Sequence, residues 1–400
     1  MEFITDSFFI ILKVYAVYFL VISIFAFKKS RSNEVFTKHH RFAALIPARN
    51  EEICIAGIVE SLLLQNYPRE LLDIYVIPNN CTDNTKAAAV NAGARVLDMP
   101  SWVNSKGKAL NEAMMALLDK GYDAFLVFDA DNEVSPDFAS EMDKTLSSGA
   151  RVAKSRILAK NSYQSWVCAC YEIHFCFANT FINRARSAIG LSARVIGTGF
   201  AVKTELIREI GGFPCKTITE DAEFFAECSA RGEYIAFCEN AVTYDEEPTS
   251  FRVSLTQRRR WMSGIMQVTQ TSFLSIIRGF KAKTTFKLCA DAFLQLTFNW
   301  VQALIPFFLI LSALLDIPAF LSSLPMTVML WYLGSAGNAV ISLAFQKRIN
   351  GKILSGILMY PFFVATFIPL QTLALFNKTN NWKEIKHSGI RLCSSHQNAA

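Results

Sequence analysis

Two carboxylates two residues apart, Asp129 and Asp131, follow an apolar run that ends at Phe128. An extended or turning backbone at that spacing presents both acids to one cation. Such hard oxygen ligands suit Mg2+ or Mn2+, which take one or two carboxylates and fill their shell with substrate phosphates. Asp-x-Asp is common in solvated loops; its place at a predicted strand end makes it a candidate metal site. Thr219-Glu220-Asp221 opens a predicted helix over 222–230. Thr219 or Asp221 could simply cap that helix. The alternative is a general base, since a sugar hydroxyl attacking an activated anomeric carbon needs a carboxylate within hydrogen-bond reach. Gln257-Arg258-Arg259-Arg260-Trp261 also has two readings. It is either a basic cluster against anionic lipid headgroups or a diphosphate clamp. In a clamp, guanidinium forks grip phosphate oxygens and Trp261 gives a flat wall for a sugar or base.

The elements that would position these residues alternate in type. Residues 42–46 form a short apolar run, followed by a polar loop and a helical pattern through Ile58, Leu62 and Leu63. A second strand is predicted over 73–77, with a helix over 87–92, and a third strand over 95–97. A helix over 106–118 precedes a strand over 124–128. This order predicts an α/β fold with a mainly parallel sheet. Ligands then bind at the carboxyl ends of the strands, where loops 47–52, 78–83 and 129–132 lie. No G-x-x-x-x-G-K-[ST] sequence is present and no G-x-G-x-x-G follows the first strand. That argues against an ATPase or a dinucleotide enzyme.

The 400 residues are 52% hydrophobic and 18% charged. A soluble domain carries about a quarter charged residues, so the balance points to a membrane protein and excludes a disordered chain. The net charge of +6 fits an acidic membrane face or an anionic substrate better than nucleic acid. The ten cysteines include no C-x-x-C pair and read as free thiols in a reducing compartment.

Residues 8–27 are apolar apart from Lys13, long enough to span a bilayer at about 20 residues per crossing. Glu2 and Asp6 precede the run, while Lys28, Lys29, Arg31, Lys38 and Arg41 follow it. This bias predicts an uncleaved anchor with the following chain in the cytoplasm. Further spans are predicted over 294–315, 326–345 and 353–376. Link 316–325 has no Lys or Arg and should face outward; link 346–352 holds Lys347, Arg348 and Lys352 and should face inward. Pro361 and Pro369 interrupt the last segment, which could span or re-enter. Stretches 163–181 and 272–286 read as surface-lying amphipathic helices or as core helices. The chain thus divides into an N-terminal transmembrane anchor (1–30), a cytoplasmic domain (41–270), an interfacial helix (271–290), about three C-terminal transmembrane helices (291–377) and a tail (378–400).

As an ordered set with membrane flanks, these motifs resemble the membrane-integrated family-2 glycosyltransferases, which include cellulose, chitin, hyaluronan and poly-N-acetylglucosamine synthases. The likeness covers about 42–261. Leu45-Ile46-Pro47-Ala48-Arg49-Asn50-Glu51-Glu52 looks like the family's first strand and nucleotide loop, and Val76 to Thr85 like its second. Lys106-Gly107-Lys108-Ala109-Leu110-Asn111 is similar to its KGxALN-like helix start. Thr198-Gly199 with Gly211-Gly212-Phe213 resembles its acceptor-side loop. Gln257, Arg260 and Trp261 match the Q-x-x-R-W signature of processive members, and Trp382 to His387 loosely resembles their gating loop.

The resemblance implies a GT-A-like domain and an inverting, metal-dependent transfer from a nucleotide sugar to a growing β-linked polysaccharide. The alternatives are single transfer to a polyprenyl phosphate or ceramide-like lipid, and an inactive scaffold. Asp129 and Asp131 would hold Mg2+ or Mn2+ on the diphosphate, Asp131 more directly. Asp221, within Glu220-Asp221, would be the catalytic base. Arg260 would neutralise the leaving group, Trp261 would floor the acceptor site beside Gln257, and Lys106 or Lys108 would approach the phosphates. Ala48, Asn50, Glu52 and Asp83 would line the base and ribose pocket. The family usually has Asp where this chain has Asn79, which puts the choice of UDP in question. Implied partners are the nucleotide sugar, a polysaccharide or lipid acceptor, membrane lipid and accessory membrane subunits, without nucleic acid.

Overall fold

The computed structural model describes residues 1–28, 39–100, 102–377 and 387–392. Helix α1 (Glu2–Ile24) comes first. The predicted alternation then follows: β1 (Phe42–Ala48), α2 (Ile55–Leu63), β2 (Leu72–Pro78), α3 (Thr85–Asn91), β3 (Arg95–Val96), α4 (Lys106–Leu117) and β4 (Ala124–Val127). The second half of the domain holds β5 (Glu133–Val134), α5 (Phe138–Ser147), β6 (Val152–Ala159), α6 (Trp166–Phe177) and α7 (Ala185–Ser187). It continues through β7 (Phe200–Lys203), α8 (Thr204–Ile210), α9 (Glu220–Arg231) and β8 (Ile235–Asp245). Five helices close the chain: α10 (Phe251–Gly279), α11 (Lys283–Leu315), α12 (Ile317–Phe345), α13 (Leu354–Ala365) and α14 (Phe367–Phe376).

The sheet order is β3-β2-β1-β4-β7-β6-β8-β5. Strands β3, β2, β1 and β4 run parallel, as do β6 and β8, whereas β7 and β5 are antiparallel to their neighbours. β1 is buried along nearly its whole length, as a central parallel strand covered on both faces must be. Leu45, Val127, Met114 and Phe224 pack on one face; Ile46, Leu126, Ile58 and Phe138 pack on the other. β1 pairs with β2 on one side and β4 on the other. The crevice at their carboxyl ends therefore lies where the strand order reverses.

Among the described residues, four helical stretches are long and apolar enough to cross a membrane: Glu2–Phe27, Lys283–Leu315, Ile317–Phe345 and Gly351–Phe376. Several expectations change. Stretch 163–181 is no surface helix: α6 is buried along most of its length and packs on α13 through Tyr171 and Phe363. Residues 271–290 do not form one interfacial helix, because α10 runs through to Gly279 and α11 starts at Lys283. The link expected over 316–325 shrinks to Asp316, whose carboxylate accepts the Ala319 N–H and caps α12. The last segment breaks at Thr366, separating α13 from α14.

Candidate active site

The turn after β4 is held tightly. Asp129 N–H donates to Asn132 Oδ1 (3.0 Å) and is also 3.1 Å from Thr198 Oγ1; Asn132 Nδ2 donates to Asp245 Oδ1 (2.8 Å). The turn faces Asp129 toward α4 and sinks Asp131 until it is 7% exposed.

On the first side stands Lys106, at the start of α4. Its ammonium is 2.6 Å from Asp129 Oδ1 and 3.5 Å from Glu220 Oε1, and it donates to the Gly197 carbonyl (2.6 Å). Burial alone would lower the Lys106 pKa; Asp129 and Glu220 outweigh it and hold it above the usual lysine range. Gly197 N–H donates in turn to Asp221 Oδ2 (2.6 Å), and Asp221 Oδ1 accepts the Ala222 N–H (2.8 Å). Asp129, Glu220, Asp221 and Lys106 thus form one connected group. Burial pushes the Glu220 carboxyl up against the pull of Lys106. Thr219 occupies the cap position of α9 without a side-chain cap bond; its buried hydroxyl has no protein partner.

On the second side stands the segment 387–392. His387 Nε2 is 3.3 Å from Asp131 Oδ2, and its Nδ1 is 3.0 Å from Glu51 Oε2. Ser388 N–H and Oγ donate to Glu246 Oε1 (both 2.6 Å), while Lys160 bridges Glu133 and the Ile390 carbonyl (both 3.3 Å). Carboxylates crowd beneath: burial, then Asp131 and Asp129, push Asp245 up, and burial, then Asp245 and Asp131, push Glu247 up. Burial also raises Asp131, His387 opposes it, and Asp129 adds to it. Glu247 Oε2 is buried without a partner. A divalent cation fits this surplus of buried negative charge. Asp129, Asp131 and His387 are the residues that could hold it, with Glu51 steering the imidazole. Asp245 and Glu247 were not singled out from sequence; Glu51 and His387 entered only inside the nucleotide-loop and gating-loop likenesses, and residues 382–386 of the latter lie outside the described residues. Asp245-Glu246-Glu247 at the end of β8 obeys the same strand-end logic as Asp129-x-Asp131; His387 carried no such signal.

The nucleotide-loop residues interlock. Asn79 N–H donates to the Ala48 carbonyl (2.8 Å), and Thr82 N–H donates to Asn50 Oδ1 (2.8 Å). Glu52 N–H donates to Asp83 Oδ2 (3.1 Å), and Asn84 N–H donates to Glu52 Oε2 (2.9 Å). Burial would raise Asp83; the Thr85 hydroxyl and backbone N–H groups outweigh it and hold it below the usual range. Asn79 accepts from Asn80 (3.0 Å) and lies 3.4 Å from the Ser105 carbonyl. Lys108 leaves the group and donates to Asn104 (3.2 Å).

The arginine motif divides by helix face. Gln257 accepts from the Tyr171 hydroxyl (2.7 Å), and Trp261 meets Tyr171 edge-on (6.1 Å), so both lie against α6. Arg258 is buried and donates to the Phe363 carbonyl (2.9 Å) and Thr366 Oγ1 (2.7 Å) at the α13–α14 break. Gly264 lies flush against Thr219: a Cβ there would come within 2.3 Å of the Thr219 side chain. Arg260, one turn earlier, is on that same helix face.

Residues 39–264 match the family model described as "Glycosyltransferase like family 2". The chain is 27% identical over 235 residues to the probable glycosyltransferase YdaM of Bacillus subtilis (strain 168), covering 56% of this chain and 55% of that protein. It is 25% identical over 231 residues to a beta-monoglucosyldiacylglycerol synthase of Nostoc sp., covering 55% and 48%. The chain spans about half the length of these curated relatives. Among solved structures, the mannosyltransferase PcManGT from Pyrobaculum calidifontis, in complex with GDP-Man and Mn2+, aligns with a TM-score of 0.67 at 18% identity, over 90% of this chain and 98% of that one. That likeness shows a shared fold.

Proposed function

Since this chain belongs to glycosyltransferase family 2 and is a glycosyltransferase of GT-A fold, we propose that it moves one sugar, with inversion, from a nucleotide sugar to a lipid acceptor at the cytoplasmic face of a membrane. The observation that carries this reading is the convergence of Asp129, Asp131, Lys106 and Asp221 at the strand ends. Asp221 takes the proton from the attacking hydroxyl. Two backbone N–H groups orient its carboxylate, which has lone pairs left for the substrate. A bound Mg2+ or Mn2+ would supply positive charge to the leaving diphosphate. Lys106 and Arg260 add fixed positive charge beside the same cleft. A single displacement by one hydroxyl turns an α-linked donor into a β-linked product.

The lipid acceptor is favoured over a polymer by the seam between α11 and α14. Gln371 Nε2 donates to Asn299 Oδ1 and Gln302 Oε1 (both 3.0 Å), filling the seam with amide contacts. Extension of a polysaccharide is the second reading, favoured by Gln257, Arg260 and Trp261. In both readings α1 and α11–α14 anchor the enzyme as a multi-pass protein; engineered-cysteine labelling from each side of sealed vesicles tests the orientation. The decisive experiment incubates detergent-solubilised protein with UDP- and GDP-sugars, Mn2+ or Mg2+, and lipid acceptors. Released nucleotide with a single β-glycolipid supports the proposal. A polymeric product would transfer the case to the second reading, and no turnover with any donor would remove both.

A further inference from the structure

Glu51, Cys54 and His387 lie beside the acidic cleft but carry different chemistry. One donor atom from each lies within 4.8 Å of the others. A thiolate, an imidazole and one carboxylate make a soft-to-borderline set, which favours Zn2+ or Cd2+ over the Mg2+ or Mn2+ suited to Asp129 and Asp131.

The backbone fixes this group from two directions. The Glu51 carbonyl accepts the N–H groups of Cys54 (3.0 Å) and Ile55 (2.9 Å), so Glu51-x-x-Cys54 is one turn leading into α2. Glu51 N–H is tied to Thr85 Oγ1 (2.8 Å), and Cys54 is 5% exposed. His387 arrives from the far end of the chain. Gly389, at φ +69°, packs so closely on Ile53 that a Cβ would come within 2.4 Å of Ile53 Cγ2. Any other residue there would lift the segment away from α2. The Glu246 and Glu133 carboxylates, accepting the N–H groups of Ser388 and Leu392, complete the docking.

We infer that Glu51, Cys54 and His387 form a binding site for a zinc-class ion, which fastens segment 387–392 to the start of α2. The ring divides its two edges: Nε2 faces Asp131, whereas Nδ1 faces Glu51. On binding, the Cys54 thiol proton and the proton shared by Nδ1 and Glu51 leave to solvent, and three metal–ligand bonds form. Zinc takes only the Nδ1 edge, so Asp129, Asp131 and the Nε2 edge of the ring stay on the side of the harder ion.

The test uses the full chain in detergent with zinc chloride alone, titrated against a chromogenic chelator. Neither donor nor acceptor is present, so its outcome does not depend on the transferase reading. One tight equivalent of zinc is expected, with Cys54→Ser weakening it by roughly 100-fold. Cadmium should give the ultraviolet thiolate-to-metal band in the parent and not in Cys54→Ser. Zinc should slow amide exchange of 387–392 in the parent alone, while Mn2+-supported turnover of Cys54→Ser matches the parent. His387→Gln, on the docked segment rather than in the core, guards against a folding artefact and should lose zinc to a similar degree. Equal zinc affinity in parent and Cys54→Ser, or a cadmium band that survives the substitution, overturns the site.

Discussion

The two flanks of the Asp129–Asp131 pair are built in opposite ways. The Lys106 flank is made from elements inside the sheet domain and is cross-tied: one ammonium meets Asp129 and Glu220, and Asp221 is tied in through Gly197. The His387 flank is closed by a segment that returns after all the C-terminal helices, and acid exceeds base there. Burial first, then neighbouring carboxylates, push up all three of Asp131, Asp245 and Glu247: Asp129 acts on Asp131, Asp131 and Asp129 on Asp245, and Asp245 and Asp131 on Glu247. A flank cross-tied by a lysine and by backbone N–H groups holds its geometry through its own contacts. A flank with surplus negative charge is unfinished until a cation arrives. Under the proposed function, proton transfer and fixed charge fall to the first flank and metal capture to the second.

The sharpest way to break that division is Asp221→Asn. Turnover should fall by about 10² or more from lost base catalysis, with donor affinity held near that of the parent; steady-state rates beside calorimetric donor titration check both. If donor affinity collapses too, the base belongs to the binding machinery instead. Next, His387→Ala should raise the cation concentration for half-maximal activity by roughly 10–100-fold. A Mn2+ titration at saturating donor measures it.

Lys106→Met probes the first flank. Removing the ammonium leaves Asp129 and Glu220 facing each other, so the Tm should drop by several degrees; a Lys106→Met/Glu220→Gln pair should recover most of the loss. The smallest effect is in pH. Burial would lower the His387 pKa, but Asp131, Cys54 and Glu51 overcome this and raise it to about 12. A raised pKa gives stability that is complete below the unfolded value of about 6.5 and declines as pH rises toward the folded one. Without metal, docking of 387–392 should therefore loosen steadily above neutral pH, read by amide exchange. His387→Ala should flatten the dependence. Cation binding should run the other way and strengthen with pH, because the ligands must shed protons.

Much of the first flank was legible in the sequence. Asp129-x-Asp131 ends an apolar strand, Glu220-Asp221 opens a helix, and Lys106 starts another, so local patterns marked all of them. The loops carrying Asn50, Glu52, Asn79 and Asp83 were legible as strand-end loops, but those residues themselves were singled out through the family resemblance. The second flank was hidden because its contacts are remote: His387 meets Glu51 across 336 positions, and no periodicity reports such a pairing. The arginine run was half legible. Its place near the site could be read, but Arg258 and Arg260 differ only in helix face, and the face was settled by Thr366 and Thr219. The single-residue link at Asp316 was missed because polar Ser322 and Ser323 mimic a loop inside α12.

The length of α10 has a mechanical consequence. Its 29 residues make a rod of about 43 Å at 1.5 Å per residue. One end follows the acidic β8 terminus; the other ends at Gly279, against Cys289 of α11. With no kink-forming proline between them, tilt imposed at the α11 end is carried toward Gly264 and Thr219 rather than absorbed on the way. Any movement of α11 would thereby act as an input on the spacing between Gly264 and Thr219, at the start of α9.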